Sequence, residues 1–157
     1  VDRFSRDASL DFLMRGFAEL GMAVSEDELV EVYEHLDGVA GWLTLYGYLR
    51  GVERLSHEEA LARVFNDGIR LVLSELEALI KPSRARYLAI LSAVAHGLNT
   101  WSEIRRYVEV KTGAIADSVF NRLLMNLVRY GYLGKVGDTY VIQDPMVARA
   151  VANVGTS

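Results

Sequence analysis

Apolar residues in the first third of the chain recur at helical spacing. Leu10, Leu13, Met14, Phe17 and Leu20 stand three or four apart, which predicts an amphipathic helix from about Asp7 to Leu20, ended by Gly21. The segment "EDELVEVYEHL" sets Leu29, Val32, Tyr33 and Leu36 on one face of a second helix. The rhythm breaks at "LDGVAGWLTLYG", residues 36–47, which holds three glycines, a tryptophan and a tyrosine. Beyond the break, "WLTLYGYLRGV" is apolar nearly all round and predicts a largely buried helix. Residues 57–80 restore the amphipathic pattern, with Leu61, Val64, Phe65, Ile69, Val72, Leu73, Leu76 and Ile80 inward.

Three pairs fit capping boxes: Ser25 with Glu28, Ser56 with Glu59, and Thr100 with Glu103. The second half begins with "SRARYLAILSAVAHG", a helix ended by Gly97, and "TWSEIRRYV", a short helix. "EVKTGA" reads as a loop, and "IADSVFNRLLMNLVRYGYL" as a longer helix stopped by Gly131. "YLGKVGDTYVIQD" alternates about Gly137-Asp138, which is a hairpin signal, and Asp144 caps a last helix with Pro145 at its first position. Three helices followed by a hairpin is the order of a winged helix-turn-helix. The expected fold is therefore mainly α, a helical domain over residues 1–81 and a winged helix with a small β-hairpin wing over 82–157. The boundary falls at "KPSR", where Pro82 lacks a backbone N–H and restrains Lys81.

Composition narrows the chemistry. The chain has 157 residues, 51% of them hydrophobic, enough for one ordinary domain or two small ones and not a disordered composition. Absence of cysteine excludes disulfides, thiolate nucleophiles and Cys-type zinc sites. His35, His57 and His96 are too far apart in sequence for metal-ligand spacing. No apolar run reaches membrane-span length and the charged opening "VDRFSRDAS" is no signal peptide, so a cytoplasmic protein without membrane contact is expected. With no initiator methionine, the chain reads as a piece of something longer. Charge divides with the domains: residues 1–81 carry 16 acids and 8 bases, residues 82–157 carry 5 acids and 9 bases. Such asymmetry is a hint of nucleic-acid contact in the second half.

No catalytic constellation is visible. There is no GxxxxGK[ST]; Gly134-Lys135 is followed by Val136 on a predicted strand. GxSxG and HExxH are also absent, so no catalysis and no bound cofactor is expected of this chain alone. One surface is a candidate. On the helix from about Asp117 to Tyr130, Val119, Phe120, Leu123, Leu124 and Leu127 face the core. Ser118, Asn121, Arg122, Met125 and Arg129 face away. The third helix of a helix-turn-helix enters the major groove, where Arg122 and Asn121 have the chemistry to read guanine and adenine edges. Arg84, Arg86, Arg105, Arg106, Lys111 and Lys135 are candidate phosphate contacts. Asp117 at the helix tip opposes this, and winged helices also dock proteins, so double-stranded DNA and a protein partner both stand.

The chain as a whole resembles the C-terminal region of archaeal P-loop ATPases of the STAND/AAA-like group, in which a helical lid and a winged helix follow the nucleotide-binding core. "DRFSRDASLDFLMRGFAELG" is similar to the Phe-Ser-opened first lid helix, and "LDGVAGWLTLYG" to a Gly-x-Pro-Gly-Trp-Leu segment. "LLMNLVRYGYLGKVGDTYVIQDPMVARA" is similar to a winged-helix close with a Tyr-x-Ile-x-Asp-Pro signature. The resemblance implies a non-catalytic lid and winged helix that pass on the nucleotide state of an ATPase core, with ATP and Mg bound by that core. It implies that Gly38, Gly41 and Trp42 form the nucleotide-facing lid turn, although Ala40 stands where the family has proline. The rival reading of the residues is a stand-alone winged-helix transcription regulator, with residues 1–81 as a dimerisation or sensing domain.

Overall fold

Ser5 starts the helical order of the chain. In a computed structural model that describes residues 3–155, its Oγ accepts from the Ala8 amide and begins α1 (Arg6–Glu19). Ser25 caps α2 (Glu26–Leu36) in the same way. Then come α3 (Ala40–Gly51) and α4 (His57–Ile80). Up to Ile69 these helices form one compact unit. Its core joins Leu10, Leu13 and Phe17 of α1, Leu29, Val32 and Leu36 of α2, and Leu43, Tyr46 and Leu49 of α3.

Two expectations for this unit need correction. Met14 and Leu20 are 51% and 43% exposed, because the buried stripe of α1 narrows to Ser9, Leu10, Leu13 and Phe17. Nor is α3 buried all round: Leu43, Tyr46, Leu49, Arg50 and Gly51 are covered, while Tyr48 is 49% exposed. An apolar sequence on every side does not bury every side when neighbours cover only one. Tyr48, Thr44 and Val52 instead line an apolar groove with Phe12 of α1 and Leu20 just beyond its end.

The second unit, from Arg70 onward, holds the end of α4, a 3₁₀ turn at Lys81–Ser83 and α5 (Arg84–Ala95). It continues with α6 (Trp101–Thr112), α7 (Asp117–Arg129), strands β1 (Gly134–Val136) and β2 (Thr139–Val141), and α8 (Pro145–Gly155). The units divide between Ile69 and Arg70, inside α4, whereas the sequence pattern sets a boundary after Lys81. "EVKT", expected in a loop, completes α6, whose Val108 is fully buried. The strands pair antiparallel with Lys135 opposite Tyr140. Gly137 at the first hairpin position has φ 60°, the conformation a type II′ turn requires there. The wing is pinned at its base: Thr139 bridges Thr100, and the Tyr140 amide donates to the Asn99 carbonyl at 2.8 Å. The Asp144 carboxylate caps α8 through the Met146 amide at 2.8 Å, with Pro145 first in the helix. The described residues are mainly helical with one small hairpin, a helical region followed by a winged helix. No helix among the described residues is long and apolar enough to cross a membrane.

Candidate functional site

The glycine segment of the first unit resolves into a turn and a helix start. Asp37 ends α2 in the left-handed conformation, φ 51°, and Gly38 follows at φ 71°. The Phe4 amide donates to the Gly38 carbonyl at 2.7 Å, and Arg3 pairs with Asp37 at 2.8 Å, so the N-terminal segment lies across the turn. A Cβ on Gly38 would collide with the Phe4 carbonyl. Gly41 differs: it lies inside the first turn of α3, exposed, with open space around the place of a Cβ. The turn is therefore made by Asp37 and Gly38, not by Gly38 and Gly41. Trp42 is half-buried one residue further on. Val39, the N-cap of α3, has no side-chain group to satisfy the first-turn amides.

Beside this helix lies a polar cluster that the sequence reading passed over. Arg50 and His57 are 8% and 5% exposed, with Tyr46 fully buried between them. Arg50 donates to the Tyr46 hydroxyl at 2.8 Å, the hydroxyl meets His57 Nδ1 at 2.7 Å, and His57 Nε2 meets Glu31 at 3.1 Å. Arg50 also pairs with Glu28, the glutamate expected to close a capping box with Ser25. Burial pushes the Tyr46 phenol above its ordinary range, against the opposing pull of Arg50. The available signal was Arg50 itself, a lone charge in an otherwise apolar helix. Among the described residues no group of His, Cys, Asp or Glu is arranged to hold a metal ion.

In the second unit the full capping box forms at Thr100: its Oγ1 accepts from the Glu103 amide, and Glu103 accepts from the Thr100 and Asn99 amides at 3.2 Å. Those amides hold the Glu103 carboxyl below the usual range. On α7, Ser118, Asn121, Arg122 and Arg129 are exposed as expected, while Phe120, Leu123, Leu124 and Leu127 are buried and Val119 is half-buried. Asn121 and Lys135 meet at a recess of about 460 Å³ between the start of α6, α7 and the wing, with Ser102 and Asp138 on its walls. Lys135 also lies over the Tyr140 ring.

Arg105 does not join this surface as a free cation. It pairs with Asp117 at 2.7 Å and Glu109 at 3.1 Å and donates to the Ile115 carbonyl at 2.9 Å, so it fastens α6 to the start of α7. Asp117, which stands to repel an anion at the tip of α7, is thereby held in an ion pair. Arg84 is held by Glu77 and Arg86 by the Ala114 carbonyl. Arg106 is exposed on α6. Lys111 lines a separate recess against α5 and α8.

Residues 81–142 match the family model of the MCM protein C-terminal winged helix-turn-helix domain. Among solved structures the chain is similar to a Walker-type ATPase of Pyrococcus abyssi, with 39% identity and a TM-score of 0.81. The match covers 96% of this chain and 42% of that one, so the chain spans less than half the length of that relative. No curated protein matches the chain. The C-terminal part is thus a winged-helix domain, and the chain is ATPase-related.

Proposed function

We propose that this chain is the non-catalytic regulatory and partner-binding region of an ATP-binding P-loop ATPase, coupling the nucleotide state of its core through α1–α4 to the winged helix. The observation that carries this reading is the reach of the likeness: it covers 96% of the chain, both units included, where the family model covers residues 81–142 alone. A borrowed winged helix would not bring the helical unit with it. The sequence holds no phosphate loop, so ATP and Mg belong to the core.

The coupling works by population shift: the region contacts the core differently in its ATP and ADP states. The start of α3 is the contact on the nucleotide side. Its first-turn amides lack a side-chain cap, Gly41 leaves room for close approach, and Trp42 lies beside it. The winged helix takes duplex DNA through Ser118, Asn121, Arg122 and Arg129 of α7, with Arg106 and Lys135 on phosphates. What favours DNA over a protein partner is the Arg105–Asp117 pair, which offsets a repelling charge at the tip of α7.

The coding sequence immediately upstream tests the first half of the proposal. A Walker A motif is expected about 200 residues earlier, from ordinary domain sizes. ATP turnover by this chain alone, or submicromolar ATP binding in a calorimeter, overturns it. For the second half, a gel-shift titration with duplex DNA is expected to show salt-sensitive binding that an Arg122→Ala, Arg129→Ala double variant weakens. A stable dimer that binds one DNA sequence with no upstream ATPase would favour a stand-alone regulator.

A further inference from the structure

The second unit carries a groove of about 650 Å³ between α5, α6 and α8, away from the recess that holds Asn121 and Lys135. Its floor is one face of α5, where Ala85, Ala89 and Ser92 follow at helical spacing. Leu88 stands beside them; the other side chains are small enough to let a second helix lie close. The two walls differ in chemistry. The α8 wall is aliphatic, with Val151 and Val154. The α6 wall is polar and cationic: the Tyr107 hydroxyl is 3.1 Å from Ser92 Oγ, and the Lys111 ammonium lies 5.6 Å from the centre of the Tyr107 ring. Lys111 is the only Asp, Glu, Lys or Arg among the lining residues.

A groove that is aliphatic on one side and cationic on the other matches a helix that is apolar on one side and acidic on the other. We infer that the α5–α6–α8 groove is a docking site for an acidic amphipathic helix of a partner protein, with a carboxylate set against Lys111 and the Tyr107 and Ser92 hydroxyls. The Ser92 and Tyr107 hydroxyls share one hydrogen between them, which leaves the other hydrogen free to donate to that carboxylate. His96 Nδ1 is closer to the Ser92 carbonyl, at 2.7 Å, than to the Ser92 hydroxyl, at 3.4 Å. The site does not depend on the ATPase reading, because peptide binding reports on the groove whether or not nucleotide coupling holds.

Two fluorescein-labelled helical peptides of about three to four turns test it. Both carry an alanine-leucine face; one carries glutamates and the other lysines on the opposite face. In anisotropy titrations at low salt the glutamate peptide is expected to saturate and to bind about fivefold tighter, the worth of one exposed ion pair. Lys111→Glu should reverse that order, and Ala85→Trp, which fills the floor, should weaken both peptides. Ala85 and Lys111 are exposed, and thermal melts check that each variant folds; Ala152→Trp, from the opposite wall, is the substitute if one does not. Equal affinity for the two peptides, an order unchanged by Lys111→Glu, or full affinity in Ala85→Trp overturns the proposal. So does self-association of the chain that Ala85→Trp abolishes, which would make the occupant a second copy.

Discussion

The Tyr46 hydroxyl stands 2.7 Å from His57 Nδ1, at the centre of a buried polar relay. Arg50 has only hydrogens to give, so the Tyr46 oxygen accepts from it, and the same oxygen meets His57 Nδ1. On the other side of the ring His57 Nε2 meets the Glu31 carboxylate at 3.1 Å. Arg50 Nε, buried in the same cluster, has no hydrogen-bond partner. α2, α3 and the start of α4 are joined by this relay as well as by their apolar faces.

Tyr46→Phe keeps the ring and removes the relay's centre, leaving Arg50 Nη1 and His57 Nδ1 buried without their shared partner. A loss of about 2–3 kcal/mol is expected in urea denaturation. A loss near zero would mean that water or a shifted side chain replaces the hydroxyl.

The raised Tyr46 phenol gives a pH dependence with a definite sign. Its protonated form is favoured in the folded state, so the contribution is complete below the ordinary phenol range, about 10. It is lost as pH rises through the higher folded value. Wild type should therefore lose stability above about pH 10 more steeply than Tyr46→Phe, measured as denaturation midpoints across that range.

Three substitutions at the α2–α3 turn should separate. Gly38→Ala forces a side chain into a positive φ and against the Phe4 carbonyl, with an expected cost above about 1 kcal/mol. Gly41→Ala, in open helix, should stabilise by up to about 1 kcal/mol. Ala40→Pro presets φ at the start of α3. Ala40 is the first residue of α3, and Val39 before it is already extended at φ -66° and ψ 113°. A gain of about 0.4–1 kcal/mol is expected by thermal melting.

Arg105→Ala should lower stability by about 1–2 kcal/mol, because it releases Asp117, Glu109 and the Ile115 carbonyl together. Arg122→Ala should stay within about 0.5 kcal/mol. The opposite ranking would return Arg105 to the exposed surface.

Glu103 works in the acid range. Its carboxyl is held low by the Thr100 and Asn99 amides, so its contribution is present above the ordinary carboxylate range and is lost as pH falls through the lower folded value. Trp101 fluorescence should follow that loss. Glu103→Gln, which keeps an accepting oxygen without a titrating group, should flatten it.

Most of the winged helix was legible in the sequence because its signals are local. Gly137-Asp138 demands a turn, Asp144-Pro145 a helix start, and Thr100 with Glu103 a cap, and each requirement is met within a few residues. The first unit was harder because its determinants act across helices. Nothing near Glu28 in sequence announces Arg50, 22 residues on, so a plausible capping box became an ion pair. Met14 and Leu20 fit the helical stripe by spacing, yet how wide a stripe is buried depends on which neighbours arrive. On the α7 surface, spacing placed Ser118, Asn121, Arg122 and Arg129 outward, while Met125, expected with them, is half-buried. It did not separate Arg105 from the free cations, since Asp117 reaches it only when the loop folds back.

The N-terminal segment laid across Gly38 gives the turn a built-in timer. The Phe4 amide is hydrogen-bonded to the Gly38 carbonyl at 2.7 Å, from outside any helix. It can trade its hydrogen for deuterium only when the segment lifts. Its exchange rate therefore counts how often the N-terminal segment leaves the α2–α3 turn. Anything that grips the start of α3 would slow that one amide while the helices around it keep their own pace.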